Sequence, residues 1–221
     1  MLPIVGQILY YSASILALFS VSLFLYKKNK ETGFFLIVIY LLYSFFSDTV
    51  FNRFLEYYYG SASLGPRIFT IIEFIILNYF VYIKIKSKNL RLFMMPMGMI
   101  FILVCIYDYV TSTTNQLDSL SIGTSSVIVL FYLIFYLIEQ LEETNTTFIY
   151  SKPDFWIISG LVMYTSGTFF TMITSQSKFT EEAFRGTYML ILSSFSLLRN
   201  ILFLVGFYIL PKKEIKIISS K

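Results

Sequence analysis

Seven stretches of mostly apolar residues recur along this 221-residue chain, separated by short polar runs. Each stretch holds roughly 20 residues, the length at which a helix crosses the hydrocarbon core of a bilayer. Hydrophobic residues make up 57% of the chain and charged residues 14%, whereas soluble domains average about 45–50% and about 25%. The sequence therefore predicts an all-α membrane protein, a seven-transmembrane-helix bundle forming one domain over residues 1–221. The predicted helices cover residues 4–26, 33–59, 67–85, 92–110, 122–138, 155–173 and 188–210.

The distribution of Lys and Arg predicts the orientation of the bundle. Twelve of the 17 basic residues lie in one set of loops, four lie in the opposite set, and Arg199 lies inside the last helix. Cytoplasmic loops carry the excess of Lys and Arg. We therefore expect a multi-pass protein of the cell (plasma) membrane with its N-terminus outside and its C-terminus in the cytoplasm. No small-residue cleavage site follows the first apolar stretch, which predicts a retained helix and not a signal peptide.

Polar residues inside the predicted spans are the candidates for function, because such residues are costly in lipid and usually face the bundle interior. On the second predicted helix they recur every four residues and form one stripe, Tyr40, Ser44, Asp48, Asn52 and Glu56. Others lie on the third, fourth and seventh predicted helices. The candidate ligand-binding or buried-charge cluster consists of Asp48, Asn52, Glu56, Glu73, Asn78, Asp108, Arg199 and Asn200.

Counting along the helices at 1.5 Å per residue indicates which of these residues lie at similar depths. Asp48 and Glu73 come out roughly 20 Å from the cytoplasmic ends of their helices, and Arg199 comes out at roughly 17 Å. We therefore predict that Arg199 faces inward and pairs with Glu73 or Asp48. Two interpretations stay open: a structural clamp between helices, or a polar pocket open to the outside for a cationic or hydroxylated ligand or a proton.

Small residues form a second pattern, on the sixth and fifth predicted helices. Ser159, Gly160, Ser166 and Gly167 recur at an interval of seven in the sixth, and the fifth opens with "SIGTSSV". Such faces let helices approach closely in lipid, so packing is the favoured interpretation and a homo-oligomer contact or a ligand slot is the alternative. The acidic "EQLEE" run that follows the fifth helix is either a solvated helix end or a docking site for a partner.

Composition also argues against several classes of protein. The chain has no His, so we expect no metal site and no imidazole catalyst. The sequence also contains no Gly-rich phosphate loop. We therefore expect no cofactor and no nucleic-acid partner, and the composition does not favour an enzyme. Retinal proteins need a Schiff-base lysine in the last helix, and residues 188–210 contain none.

The stretch "KPDFWIISGLVMYTSGTFF" and the preceding "RIFTIIEFIILNYF" carry a family resemblance. Through Pro153, Phe155, Trp156, Gly160 and Tyr164, together with Glu73, the chain resembles small uncharacterised bacterial seven-helix integral membrane proteins. Those proteins look like stand-alone relatives of the membrane modules of sensor kinases. The resemblance implies a bacterial inner-membrane location and a role in signalling. Because no output domain is evident in these residues, that role would require a partner protein.

We therefore expect a multi-pass sensory or accessory module with a polar pocket in the outer half of the bundle, acting through a cytoplasmic or membrane protein partner. One alternative is a small proton-coupled transporter with Glu73 and Asp48 as the titrating groups, although paired Gly/Pro breaks are not evident. A second alternative is a membrane-embedded lipid-modifying enzyme that uses carboxylates and Tyr for acid–base chemistry.

Overall fold

The structure, a computed structural model, describes residues 2–29, 31–59, 64–111, 119–142, 148–175 and 181–211, without the side chains of 2–3, 48, 52–53, 56, 59, 119, 174–175, 181–186 and 188. The described residues form helices and no strand. The α-helices are α1 (Leu2–Lys27), α2 (Thr32–Phe46), α3 (Asn52–Tyr59), α4 (Leu64–Lys84), α5 (Lys88–Thr111), α6 (Ser119–Glu142), α7 (Pro153–Ser175) and α8 (Glu181–Ile209). Within this described part, seven helical stretches are long and apolar enough to cross a membrane, as the sequence predicts.

The helices differ from the prediction at two informative places, one inside a predicted helix and one at a helix start. The predicted helix 33–59 contains a π-helical turn, Ser47–Phe51, between α2 and α3, and such turns are rare and often lie at functional sites. The fourth predicted helix begins four residues earlier than residue 92, at Lys88. Polar side chains supply hydrogen bonds at that start, where Ser87 Oγ accepts from the amide of Leu90 at 3.4 Å.

Six of these helices pack around one interior. α1 packs against α8, α8 against α7, α7 against α6, α6 against α4, α4 against α2, and α2 against α1, so the ring closes. Its interior holds large side chains that are fully buried, among them Tyr40, Phe80, Tyr132, Phe203 and Phe207. α5 lies outside the ring, against α6 and α4, and only 11% of its apolar span is buried, against 56% of the span in α7.

Contacts between helix ends define one end of the bundle, which we call the basic end because Lys27, Lys84 and Lys152 lie there. Lys27 Nζ, at the end of α1, donates to the carbonyl of Tyr208 in the last turn of α8 at 3.0 Å, and a cation is favourable at a helix C-terminus. Lys152 Nζ, just before α7, donates to Gln140 Oε1 of α6 at 3.1 Å. The short connections on this side are therefore tied to neighbouring helices.

α5 is held to α6 by a reciprocal pair of carboxylates. Asp108 Oδ2 on α5 accepts from the amide of Ser121 at 2.9 Å and from its hydroxyl at 2.6 Å, in the first turn of α6. Glu139 on α6 accepts from the amides of Lys86 at 3.0 Å and Ser87 at 2.9 Å, just before α5 begins. Because anions are favourable at helix N-termini, each carboxylate stabilises the start of the other helix. Glu139, from the "EQLEE" run, thus has a structural role within the chain.

Candidate functional site

Arg199 lies at the midpoint of the apolar span Met189–Ile209 of α8. Its side chain is only 3% exposed, so the prediction that it faces inward is confirmed. A lone Arg at this depth costs about 3 kcal/mol on insertion scales. Its neighbours must therefore compensate for most of the hydration that it loses.

A tyrosine hydroxyl connects Arg199 to a carboxylate. Arg199 Nη1 donates a short hydrogen bond to Tyr40 Oη on α2, and Tyr40 Oη donates to Glu73 Oε1 on α4 at 2.8 Å. The hydroxyl accepts from the cation and donates to the anion, which is the arrangement that a single O–H group allows. Tyr40 thus bridges Arg199 and Glu73, two residues that the sequence predicts to pair.

An amide extends the network to α1. Arg199 Nε donates to Asn200 Oδ1 at 3.1 Å, and Asn200 Nδ2 donates to the carbonyl of Ala13 at 2.8 Å. A helical carbonyl with a spare lone pair can accept this second bond without breaking the helix. The adjacent polar residues Arg199 and Asn200 therefore bind α8 to both α2 and α1.

Aromatic faces surround the guanidinium. Arg199 Cζ lies 4.3 Å from the ring centre of Tyr164, 5.0 Å from that of Tyr40 and 6.0 Å from that of Phe203. Cation–π contacts of this kind are worth about 2 kcal/mol or more when they are desolvated. Gly160 permits this packing, because a Cβ there would lie 3.1 Å from the carbonyl oxygen of Arg199. We call Arg199, Asn200, Tyr40, Glu73 and Tyr164 the Arg199 cluster.

The other predicted residues are distributed differently. Asp108 is buried but caps α6 through Ser121. Asn78 is half-buried on the side of α4 near α5, with Nδ2 4.0 Å from where a Cβ on Gly98 would lie. The remaining predicted side chains lie outside the described residues: Asp48, Asn52 and Glu56.

A small cavity adjoins the cluster between α4, α6 and α7. Its volume is ≈ 10 Å³, about the room that one water molecule needs. Its polar wall consists of Glu73, Ser125, Ser126, Tyr164, Thr165 and Thr168.

A larger groove of ≈ 320 Å³ lies between α7 and α8 and is lined by Ser166, Gly167, Phe170, Thr171, Ile191 and Phe195. Arg199 lines neither of these two cavities.

A second charged group, which sequence analysis missed, lies at the basic end. Lys84 Nζ on α4 is 2.5 Å from Glu31 Oε1, before α2, and 2.7 Å from Asp154 Oδ1 in the first turn of α7. It also lies 4.4 Å from the ring centre of Phe34. We call these four residues the Lys84 cluster. Asp154 lies inside the first turn of α7, which begins at Pro153, and from there its carboxylate reaches Lys84.

Both clusters join charged and polar side chains that come from different helices. Within the described residues, no group of three or more His, Cys, Asp or Glu side chains could hold a metal ion. The chemistry available is a hydrogen-bonded Glu–Tyr–Arg series with a water-sized space at its acidic end.

Comparison with protein-family models, curated proteins and solved structures finds no match for the chain.

Proposed function

We propose that this chain is a multi-pass sensory or accessory module of a bacterial plasma membrane. In this proposal the Arg199 cluster is the input site, and the basic end is the output site that acts on a partner protein. The N-terminus would lie outside and the basic end in the cytoplasm, in accordance with the excess of Lys and Arg on that side. The resemblance to the membrane modules of sensor kinases supports the same role.

One observation carries the proposal: the same three helices contribute to both clusters. Tyr40 and Phe34 lie on α2, Glu73 and Lys84 lie on α4, and Tyr164 and Asp154 lie on α7. Each pair is separated by only a few helical turns, and helices transmit displacement along their axes because they are stiff. A rearrangement around Glu73 would therefore change how Lys84 contacts Glu31 and Asp154, and two linked arrangements are what a switch requires.

Hydrogen–deuterium exchange tests this coupling directly. The variant Glu73→Gln removes the negative charge while keeping an acceptor for Tyr40 Oη. We expect amide exchange in residues 28–29, 31 and 148–152, at the basic end, to change by about fivefold or more, the usual lower bound of an allosteric coupling. The matched control is Ile201→Ala, two residues from Arg199 on the same helix but 41% exposed on its outer side. Exchange at the basic end that is equal in Glu73→Gln and the native chain would reject the proposal.

The orientation has its own test in a Cys105→Ser background, which removes the single cysteine. Ser151→Cys places a thiol at the basic end and Thr111→Cys places one at the opposite end, and both positions are exposed. A membrane-impermeant maleimide added to intact cells should label the second thiol and spare the first. Labelling of Ser151→Cys in intact cells would reverse the assigned orientation.

A small cation-coupled or proton-coupled carrier is the second candidate. The observation that favours it is that Glu73 borders a water-sized polar space at the middle of the bundle, where carriers place their coupling ions. Flux in proteoliposomes should then depend on Glu73, and flux unchanged by Glu73→Gln would exclude this role.

A further inference from the structure

We propose that two copies of this chain associate in the membrane through α4 and α5, with the Asn78 amides of the two copies hydrogen-bonded to each other. The proposal requires that the chain spans a membrane, and it does not depend on the sensory role. Three observations carry it: a polar side chain without a partner, exposed stripes on two neighbouring helices, and an open groove between them.

Asn78 is a polar residue at membrane depth. Within the described part of the chain, its amide makes no hydrogen bond, either as donor or as acceptor. It lies six residues before Lys84, where α4 ends, which is about 9 Å along the helix. The hydrocarbon core is about 30 Å thick, so the amide lies inside it. Water is scarce at that depth, and an amide that lacks a partner there is costly.

Asn78 belongs to an exposed stripe on α4. Ile71, Ile75 and Tyr82 are exposed, and Asn78 is half-buried between them. Successive members lie four, three and four residues apart, the spacing with which one face of a helix packs along a second helix. We call these four residues the Asn78 stripe. A single Asn in such an otherwise apolar face specifies the register and the number of associated helices.

α5 presents a second exposed stripe beside the first. Met95, Ile102 and Tyr109 are exposed and follow one another at intervals of seven residues, so they share one face of the helix. We call these three residues the Met95 stripe. Below the two stripes, Phe74 of α4 stacks on Phe101 of α5, with their ring centres 3.9 Å apart. Both rings are buried, so they hold the two helices together.

Two arginine–tyrosine contacts show that the two stripes flank the same groove. Arg67 Cζ on α4 lies 5.3 Å from the ring centre of Tyr109, in the Met95 stripe. Arg91 Cζ on α5 lies 5.6 Å from the ring centre of Tyr82, in the Asn78 stripe. Each contact crosses from one helix to the other, one towards each end of the groove.

The groove is open between these two contacts. Among the described residues, the one side-chain atom within 4 Å of a Cβ built on Gly98 of α5 would be Asn78 Nδ2, at 4.0 Å. A side chain from outside the bundle therefore has room next to the Asn78 amide.

The occupant that satisfies this amide is a second copy of the same chain. A primary amide has two N–H donors and a carbonyl acceptor, so it is complementary to itself. In a two-fold symmetric contact the same patch of both copies meets, and an axis along the membrane normal keeps equivalent residues at one depth. The Asn78 amide then faces the same amide of the second copy. A lipid tail offers neither a donor nor an acceptor.

Förster transfer between donor-labelled and acceptor-labelled full chains in lipid vesicles measures the association. The dyes are attached to Ser151→Cys, at an exposed position of the basic end, in the Cys105→Ser background. We expect a reversible dimer that dissociates as the lipid-to-protein ratio rises. Asn78→Leu should weaken the association about tenfold, because two hydrogen bonds between membrane helices are lost. Ile75→Trp should abolish it, because a large ring then fills the exposed stripe.

Ile15→Trp is the matched control. Ile15 is exposed in the middle of α1, which packs against α8 and α2, and the same substitution there should leave the association unchanged. A native chain that stays monomeric at every lipid-to-protein ratio would overturn the proposal. Native association in Asn78→Leu or in Ile75→Trp would do the same.

Oxidative cross-linking with copper phenanthroline in native membranes locates the contact independently of these affinities. In the Cys105→Ser background, Ile75→Cys should give a covalent dimer of the chain, whereas Ile15→Cys should stay monomeric. A dimer from Ile15→Cys and none from Ile75→Cys would place the contact on α1 and overturn the proposal. So would a product in which Ile75→Cys is joined to a different protein.

Discussion

The Arg199 cluster and the Lys84 cluster combine the same kinds of group and handle a buried cation in different ways. Arg199 reaches a carboxylate through Tyr40 and lies against three aromatic rings. Lys84 touches two carboxylates directly and lies over one ring. Arg199 is 3% exposed, and the side chain of Lys84 is 10% exposed and pairs with Glu31, whose side chain is 51% exposed.

The difference follows from access to water. Deep in lipid, solvation must come from the protein, so a delocalised guanidinium with several hydrogen-bond donors and flat faces for stacking is better suited than an ammonium. At the end of a bundle, water and headgroups share the solvation, and a compact lysine with direct ion pairs is sufficient. The Arg199 cluster should therefore be the more costly of the two to break and the less sensitive to salt.

The largest effect is expected from removing the buried cation. Arg199→Met leaves the half-buried Glu73 carboxylate without its counter-charge, which should lower the free energy of unfolding by up to about 3–5 kcal/mol, the cost of breaking a buried pair. The double variant Arg199→Met/Glu73→Gln should recover much of that loss, because no uncompensated charge remains. Unfolding by SDS in mixed micelles measures all three proteins. If Arg199→Met were as stable as the control Ile201→Ala, at an exposed position of the same helix, the cluster would have no role in stabilising the bundle.

The next effect concerns the hydroxyl that connects the two charges. Tyr40→Phe keeps the ring over Arg199 but leaves a buried guanidinium and a half-buried carboxylate each short of one bond, at a cost of about 1–3 kcal/mol. Tyr132→Phe is the control, since Tyr132 is fully buried and its hydroxyl has no hydrogen-bond partner among the described residues. That substitution should be neutral or slightly stabilising. Equal losses of unfolding free energy in the two variants would show that the hydrogen bonds of the Tyr40 hydroxyl do not stabilise the bundle.

The spans and the burial of Arg199 could be predicted from the sequence, because both depend on local composition and on the cost of charge in lipid. The partner of Arg199 could not be predicted in full. Tyr40 belongs to the four-residue stripe on the second predicted helix, but its meeting with Arg199 depends on which helices are neighbours and how they are rotated. Nothing in a single apolar stretch specifies that α2 and α8 both flank α1.

Asp108 and Lys84 also have partners that the sequence alone did not predict. Asp108 was assigned to the candidate cluster because it is a charged residue inside a predicted span, yet its carboxylate binds the start of α6, because a nearby helix N-terminus is a favourable partner for a carboxylate. Lys84 was counted only as a basic loop residue, and its two acidic partners come from α7 and from just before α2. Such pairings are long-range in sequence and appear only when the ring of helices is closed.

A smaller effect, and one that depends on salt, is expected at the basic end. Lys84→Met should lower the free energy of unfolding by about 1 kcal/mol, near the upper range for accessible ion pairs. High ionic strength screens exposed charges, so the difference from the native chain should shrink from low to high choline chloride. The loss in Arg199→Met should stay constant over the same range. Lys88→Met, at an exposed position at the start of α5, is the control for loss of a lysine.

The smallest effect is expected from the glycine beside Lys84. In Gly33→Ala the new Cβ would lie 2.4 Å from Lys84 Cε, so the end of the flexible lysine chain must move and lengthen its contacts with Glu31 and Asp154. A gain in helix propensity of up to about 1 kcal/mol opposes that loss, so the net change should stay within about 0.5 kcal/mol, the range of ordinary surface substitutions. The altered ion pairs should still appear as a salt dependence weaker than that of the native chain. A loss of unfolding free energy as large as that of Lys84→Met would mean that the Lys84 ammonium cannot move without losing its ion pairs. The Lys84 cluster would then be as rigid as the Arg199 cluster, despite its greater exposure to solvent.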